Sequence, residues 1–318
     1  MLERPQMGVI MDPLDTIHPE KDTTLALLAE ADRRGFALYY MELDALFLQY
    51  GIAWGNCRAL ELHLDKNPWY SLQAPVSRPL DQFDVLLMRK DPPVNLQYLY
   101  STYILEHAES NGVLIVNKPQ SLRDANEKLF ATWFPQCMPP TLVSSSQSIL
   151  KDFVETHECA VFKPLDSMGG HNIFKCQRDD PNLTMIIDFL TQKESLYVMA
   201  QRFVPEITEG DKRILLIDGE PIPYALARIP AKNEFRGNLA AGGRGEGREL
   251  TERDWWICSQ IGPLLREKGL IFVGIDVIGE YLTEINVTSP TCVKELEKAF
   301  EIDIAGKIID SIMEKLKG

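Results

Sequence analysis

Apolar positions near the start of the chain come in runs. Met7-Gly8-Val9-Ile10-Met11 is continuous and ends at Asp12-Pro13, the pattern of a buried strand closed by a polar turn. From about Lys21 to Arg34 the spacing turns helical, with Leu25, Leu28 and Ala31 on one face and Gly35 as the stop. Phe36–Met41 is the next predicted strand. Residues 43–83 read as irregular, with short strands broken at Pro68, Pro75 and Pro79. Asp84–Met88 then predicts another buried strand, Tyr98–Ser110 a helix and Val113–Val116 a further strand. This strand–helix alternation predicts a parallel sheet with ligand groups at its C-terminal strand ends. Asp12, Arg89-Lys90-Asp91 and Asn117-Lys118 stand at such ends.

A helix is predicted over Arg123–Trp133, after which the pattern changes. Between 141 and 230 strands dominate, at 159–164, 172–176, 196–202, 213–218 and 221–228. Glycine-rich or Asp-Gly turns separate several of them and point to antiparallel hairpins. Residues 235–247 form a glycine-rich stretch, followed by a helix over 251–268, a hairpin at 271–287 and two closing helices. There is no internal repeat and no low-complexity tail.

With 318 residues, 45% of them hydrophobic, two or three packed subdomains are expected. No apolar run approaches the roughly 20 residues that span a bilayer, and Met7–Met11 is too short for a signal-peptide core. The six cysteines contain no C-x-x-C pair, so reduced thiols in a cytoplasmic protein are expected. Thirty-three Lys/Arg against 46 Asp/Glu leave a formal charge of −13. Such a surface repels nucleic acid and anionic lipid, and an anionic ligand would need a local cationic pocket. Phosphate-loop, dinucleotide-turn and serine-elbow motifs are missing, and the five histidines lack metal-ligand spacing.

Four segments carry candidate chemistry. In the 271–287 hairpin, Glu284 and Asn286 are two apart and share a strand face. Asp276 joins that face if the loop has an odd residue count, and a three-residue loop over 279–281 sets it opposite Glu284. Two carboxylates and an amide oxygen suit Mg²⁺ on nucleotide phosphates; the alternative is a solvated strand face. Lys163 ends an apolar strand before Asp166-Ser167-Met168-Gly169-Gly170, where glycines let backbone N–H groups approach an anion. An exposed hairpin is the bland alternative, as a solvated helix position is for Lys128. Arg213 and Arg228 lie in otherwise apolar strands and each needs a carboxylate or phosphate partner. Finally, Arg236, Asn238 and Arg244 stand in the 235–247 stretch, which reads as a lid that orders on substrate or as a connector.

Lysine, lysine with glycine hairpin, arginines, then D-x7-E-x-N: in that order the signals resemble an ATP-grasp ligase. The strings Met88-Arg89-Lys90-Asp91-Pro92-Pro93, Asn117-Lys118-Pro119-Gln120-Ser121-Leu122-Arg123-Asp124, Arg236-Gly237-Asn238-Leu239-Ala240-Ala241-Gly242-Gly243-Arg244-Gly245 and Thr283-Glu284-Ile285-Asn286-Val287-Thr288-Ser289-Pro290 resemble bacterial-type glutathione synthetase from about Met7 onward. The resemblance implies an α/β ATP-grasp fold preceded by an N-terminal parallel-sheet (pre-ATP-grasp) domain: residues 1–122, a lid subdomain over 123–203, and a C-terminal subdomain over 204–318 with a mobile loop at 229–247. It implies ATP held by Lys128, Lys163, Ser167, Gly169 and Gly170. Gln201, Arg202, Phe203 and Val204 would form the adenine hinge, with Asp211 near the ribose. Mg²⁺ (or Mn²⁺) would sit on Asp276, Glu284 and Asn286, and Arg213, Arg228 and Arg244 would act on the transferred phosphoryl group. Asp22, Arg89 and Ser289 are the candidates for substrate contact. The implied reaction joins γ-glutamylcysteine and glycine through an acyl phosphate, in a homo-oligomer (dimer or tetramer) with no nucleic-acid or membrane partner. Another ATP-grasp ligase, of D-Ala-D-Ala or peptide-tailing type, and a non-catalytic ATP-binding protein are the alternatives.

Overall fold

A computed structural model describes residues 4–167, 169–232, 234, 236–237 and 242–317. Asn238, Met168 and the 238–241 part of the expected lid lie outside the described residues. Eight strands make the first sheet: β1 (Gln6–Ile10), β2 (Ala37–Met41), β3 (Leu46–Gln49), β4 (Ile52–Leu62), β5 (Tyr70–Leu72), β6 (Val76–Pro79), β7 (Val85–Met88) and β8 (Leu114–Val116). The buried run at Met7–Ile10 takes the centre, with β2 and β7 parallel on its two sides and β8 parallel beyond β7. Helix α1 (Thr23–Arg33) links β1 to β2, α2 (Leu96–Ser110) links β7 to β8, and α3 (Pro119–Asp124) follows β8. Asp22 caps α1 by accepting the Leu25 N–H at 2.6 Å.

The 43–83 stretch is more regular than its prolines suggest. β4 runs for 11 residues and pairs antiparallel with β2, β3, β5 and β6. Only alternate positions of its first half are buried, so it lacks a continuous apolar run, and Pro68 and Pro75 fall in connections between strands. The helix expected over 123–133 is broken. α3 stops at Asp124 and a 3₁₀ turn covers Phe130–Trp133. Between them Asn126 Oδ1 accepts the backbone N–H of Lys128 and Leu129 at 3.1 and 3.0 Å, a local bond that competes with helix. Lys128 therefore stands in a turn, not on a helix.

The second sheet comprises β9 (Thr141–Ser144), β10 (Cys159–Pro164), β11 (Phe174–Gln177) and β12 (Val198–Arg202), in the order β11-β10-β12-β9. All its pairings are antiparallel. Two helices that the strand-rich reading lacks, α4 (Gln147–His157) and α5 (Leu183–Thr191), bury Leu150, Val154, Ile187 and Leu190 in a small core with Ala160, Phe162 and Val198. Both are short, with 11 and 9 residues, and lie between strands in a stretch whose glycine and Asp-Gly turns favour a hairpin reading.

The third sheet, in the order β15-β14-β13-β16-β17, contains β13 (Asp211–Ile217), β14 (Glu220–Ile229), β15 (Arg244–Glu249), β16 (Phe272–Ile278) and β17 (Tyr281–Asn286). The second half of the glycine-rich stretch is thus an edge strand on β14. Alternation along β13 sends Ile214 and Leu216 into the core shared with α6 (Glu252–Glu267), and Leu215 and Ile217 into the core shared with α7 (Val293–Phe300) and α8 (Ile304–Lys315). Both cores continue into the first sheet. Asn117 adds a polar link: its Nδ2 donates to the Phe272 and Val287 carbonyls, both at 2.7 Å, and its Oδ1 accepts the Phe272 N–H at 3.0 Å. The third sheet is therefore fixed to the first, whereas the second has a core of its own.

Candidate active site

A cleft of about 330 Å³ lies between the second and third sheets. β10, β12 and the 165–170 loop wall one side, β13, β14, β16 and β17 the other, and Glu127, Lys128 and Asp91 come from the first sheet's connections. Six Lys/Arg and five Asp/Glu side chains line it, in a chain whose overall charge is −13. The cleft is thus locally cationic against the field of the molecule, as an anionic ligand requires.

The 272–286 hairpin reaches the expected register by a different route. Its turn has two residues, Gly279 and Glu280, with Ile278 paired to Tyr281. A bulge then makes Thr283 the extra residue, so Val277 faces Leu282 but Asp276 faces Glu284. The Thr283 hydroxyl donates to the Asp276 carbonyl at 3.1 Å and holds the irregularity. The three-residue loop over 279–281 is thus corrected, while the pairing of Asp276 with Glu284 stands.

Asp276 is buried and shared by two arginines. Arg213 grips it twice, at 2.5 Å through Nε and 3.0 Å through Nη2, and Arg228 Nη2 lies 2.9 Å away. Burial would raise this carboxyl, but the two guanidiniums outweigh it and hold it well below the usual carboxylate range. Gly274 makes room for the pair: a Cβ there would stand 2.9 Å from Arg213 Cδ and 3.1 Å from Pro290 Cβ. Arg228 also meets Asp211 at 2.5 Å. Burial pushes the Asp211 carboxyl up to about 6 in spite of that partner, and its Oδ1 is buried without a hydrogen bond. The arginines' need for anionic partners is met within the protein.

Lys163 Nζ donates to Gln201 Oε1 at 3.1 Å and stands 3.9 Å from Glu284. Lys128 pairs with Glu127 and donates to the Ser167 carbonyl at 2.6 Å, which ties it to the glycine loop. Burial opposes its charge, but Glu284 and Glu127 more than compensate and raise its pKa. Arg236 reaches across from the 229–247 loop and donates to the Gly170 carbonyl at 3.2 Å. Next to it Gly237 is packed so closely that a Cβ would lie 2.5 Å from the Arg228 carbonyl oxygen.

Lys128, Lys163, Ser167, Gly169, Gly170, Gln201, Arg202, Phe203, Val204, Asp211, Arg213, Arg228, Asp276, Glu284, Asn286 and Ser289 all line this cleft. Arg244 does not. It is exposed on edge strand β15, bound to Glu246 at 3.2 Å, because pairing with β14 carries it away from the cleft. Arg89 and Asp22 do not line it either; Arg89 is buried behind Pro290, whose carbonyl it holds at 2.9 Å. Three charged lining residues were missing from the expected set. Glu127 read as part of a helix, Arg236 as one of several loop arginines, and Asp91 as one of several strand-end polar groups.

The oxygen donors fit a divalent cation in part. Glu284 keeps only the long Lys163 contact, and Asn286 spends its Nδ2 on Asp276 at 3.3 Å and leaves its oxygen free. Asp276 has both oxygens in guanidinium pairs. Among the described residues no group of three or more His, Cys, Asp or Glu side chains is arranged to hold a metal, in keeping with a set that depends on an amide oxygen and a shared carboxylate.

Comparison with known proteins agrees with this geometry. Residues 6–123 match the prokaryotic glutathione synthetase N-terminal domain and 127–301 the prokaryotic glutathione synthetase ATP-grasp domain. The chain is 54% identical over 311 residues to the glutathione synthetase of Pseudomonas aeruginosa and 53% identical over 312 residues to that of Vibrio cholerae, with 98% of each chain covered. Among solved structures it resembles a D-cycloserine synthetase (TM-score 0.67, 14% identity, 98% of this chain and 99% of that one) and the D-alanyl-alanine synthetase A of Vibrio cholerae (TM-score 0.62, 13% identity, 100% of both), which establishes a shared fold. Fold and cleft together define the class, an ATP-grasp carboxylate–amine ligase. Within that class, the chain belongs to the prokaryotic glutathione synthetase family. Among the described residues no helix is long and apolar enough to cross a membrane.

Proposed function

We propose that this cleft joins γ-glutamylcysteine to glycine at the expense of ATP, releasing ADP and phosphate. The observation that carries the reading is the convergence of Lys128, Lys163, Arg213 and Arg228 on one cleft beside Asp276, Glu284 and Asn286. A carboxylate anion does not react with an amine until one oxygen becomes a leaving group. Phosphorylation makes it one, and neutralising the phosphates is the protein's main task.

In this reading Lys128 and Lys163 hold the phosphates, and Ser167–Gly170 cover them. The 201–204 hinge carries the adenine, and Asp211 Oδ1, which has no hydrogen-bond partner within the protein, accepts a ribose hydroxyl. Glu284 and Asn286, with Asp276 beside them, would hold Mg²⁺ (Mn²⁺ being the alternative), which supplies charge neutralisation and orientation at the phosphates when bound. Arg213 and Arg228 face the acyl carboxylate and the transferred group. The amine of glycine attacks the acyl carbonyl, phosphate departs, and water is kept out by closure of the 165–170 and 229–247 loops. The division into an N-terminal unit to 122, a lid unit over 123–203 and a C-terminal unit from 204 belongs to the same proposal. Its support is the separate core of the second sheet. A cytoplasmic location and a homo-oligomeric state complete it.

The test is ADP release from ATP–Mg²⁺ with γ-glutamylcysteine or glycine omitted in turn, for the wild type and Glu284→Ala. Turnover that needs both substrates and is lost in a folded Glu284→Ala protein is expected. Near-normal turnover in that variant would remove the metal assignment, and turnover indifferent to glycine would remove the ligase assignment.

A further inference from the structure

The second sheet is joined to the rest of the chain by two connections, 134–140 before β9 and 203–210 after β12, and both connections meet the start of β17. The Cys137 carbonyl accepts the Leu282 N–H at 2.8 Å. Arg202 Nη2 donates to the Tyr281 hydroxyl oxygen at 3.1 Å, and its guanidinium lies 5.5 Å from that ring's centroid. The connections are also tied to each other, since the Arg202 N–H donates to the Pro140 carbonyl at 2.9 Å. The sheet with a core of its own is thus hung on the hairpin that carries Asp276, Glu284 and Asn286. That seat is firmly held. Arg253 on α6 donates to the Glu280 carbonyl at 3.0 Å and to the Gln136 carbonyl at 3.2 Å. The 3₁₀ turn Pro205–Glu209 packs on Gly279, where a Cβ would stand 3.0 Å from Glu206 Cβ.

Arg202 Nε is buried without a hydrogen-bond partner, and among the described residues the Tyr281 hydroxyl is the one side-chain acceptor of this half-buried cation. Arg202 lines the cleft and Tyr281 does not, so a change at Tyr281 reaches a bound nucleotide through the residues it holds. Two other contacts cross the cleft, Lys163 to Glu284 and Arg236 to the Gly170 carbonyl. Both stand among groups assigned to phosphate, where a ligand would part them, whereas the Arg202–Tyr281 contact sits at the pivot and survives opening. We propose that Tyr281 is a positioning residue for the nucleotide. Its contact with Arg202 fixes the 201–204 hinge on the β16–β17 hairpin, so that the hinge keeps its spacing from Glu284 while the second sheet moves. Without the contact fewer molecules have the hinge set for nucleotide, and the apparent affinity falls by that fraction. This inference rests on the reading of 201–204 as the adenine hinge.

Tyr281→Phe is the informative variant, since it removes the acceptor while keeping the ring. Binding of a non-hydrolysable ATP analogue with Mg²⁺ is measured by calorimetry, and KM is taken for ATP, γ-glutamylcysteine and glycine. Arg202→Met and the double variant complete a cycle. The expected result for Tyr281→Phe is an analogue affinity lowered, and a KM for ATP raised, about tenfold, the value of one hydrogen bond to a charged group. The KM values for γ-glutamylcysteine and glycine and the thermal midpoint stay unchanged. On the Arg202→Met background the same change adds no further loss, the non-additivity of residues that act through one contact. Unchanged analogue affinity in Tyr281→Phe would overturn the proposal, as would full additivity in the double variant. A fall in kcat together with every KM and the melting temperature would show the contact to be structural. Failure of the underlying reading looks different, since the wild type itself would then not bind the analogue.

Discussion

Two guanidiniums share the Asp276 carboxylate, and this decides how the residue responds to change. Replacing it with Asn leaves Arg213 and Arg228 facing a neutral amide inside the protein. Loss of one partner of a buried pair costs about 3–5 kcal/mol, and a drop in denaturant stability of that order is expected for Asp276→Asn. The pH dependence has a definite sign. Asp276 is held below its ordinary 3.8, so its contribution is present above that value and is lost as pH falls toward the lower folded pKa. Asp211 moves the other way, from 3.8 to about 6. Its contribution is complete below the lower value and is lost as pH rises through the upper one. Urea melts at stepped pH should therefore show a shallower acid decline in Asp276→Asn, and no decline between those two values attributable to residue 211 in Asp211→Asn. The shared face of Glu284 and Asn286 was legible in the sequence because strand periodicity is local, whereas the place of Asp276 opposite Glu284 depends on the bulge at Thr283. The claim of Arg213 on Asp276, 63 positions apart, was not, since it depends on which strands become neighbours.

Elements place these residues by small irregularities. Without the Thr283 bulge, a two-residue turn would set Asp276 against Thr283 and turn Glu284 to the other face. Thr283→Val removes the hydroxyl bond to the Asp276 carbonyl with little change of shape. Loss of about 1 kcal/mol and weaker metal dependence of turnover are expected, measured by melts and Mg²⁺ titration. Gly237 is the second such point. A methyl group there would meet the Arg228 carbonyl oxygen at 2.5 Å and Asp211 Cβ at 2.9 Å, so Gly237→Ala must displace either the loop or the ion pair. A fall of about a hundredfold in kcat/KM is expected, as for small misplacements of catalytic groups, with a near-normal melting curve. A glycine-rich string announces mobility or close approach but not which. Bulges and broken helices, such as the one at Asn126, depend on single side-chain bonds that leave propensity almost unchanged.

At the scale of the molecule, the uneven sharing of cores sets what can move. The first and third sheets are joined through two common cores and the Asn117 bonds, and the second sheet keeps its own. Binding of a non-hydrolysable ATP analogue should slow amide exchange in 159–177 and 198–204 much more than in β1 or β7, because only the former lie across the cleft from the fixed sheet. The alternation that predicts a parallel sheet was legible because its strands are buried on both faces. The half-buried β4 and the short α4 and α5 were not. The account's central claim is that the cationic cleft converts a carboxylate into an acyl phosphate before the amine arrives. The most direct test uses γ-glutamylcysteine labelled with oxygen-18 in the cysteinyl carboxylate, with mass analysis of the phosphate released during turnover. One labelled oxygen carried into each phosphate is the predicted result; glutathione accumulating beside unlabelled phosphate would contradict it.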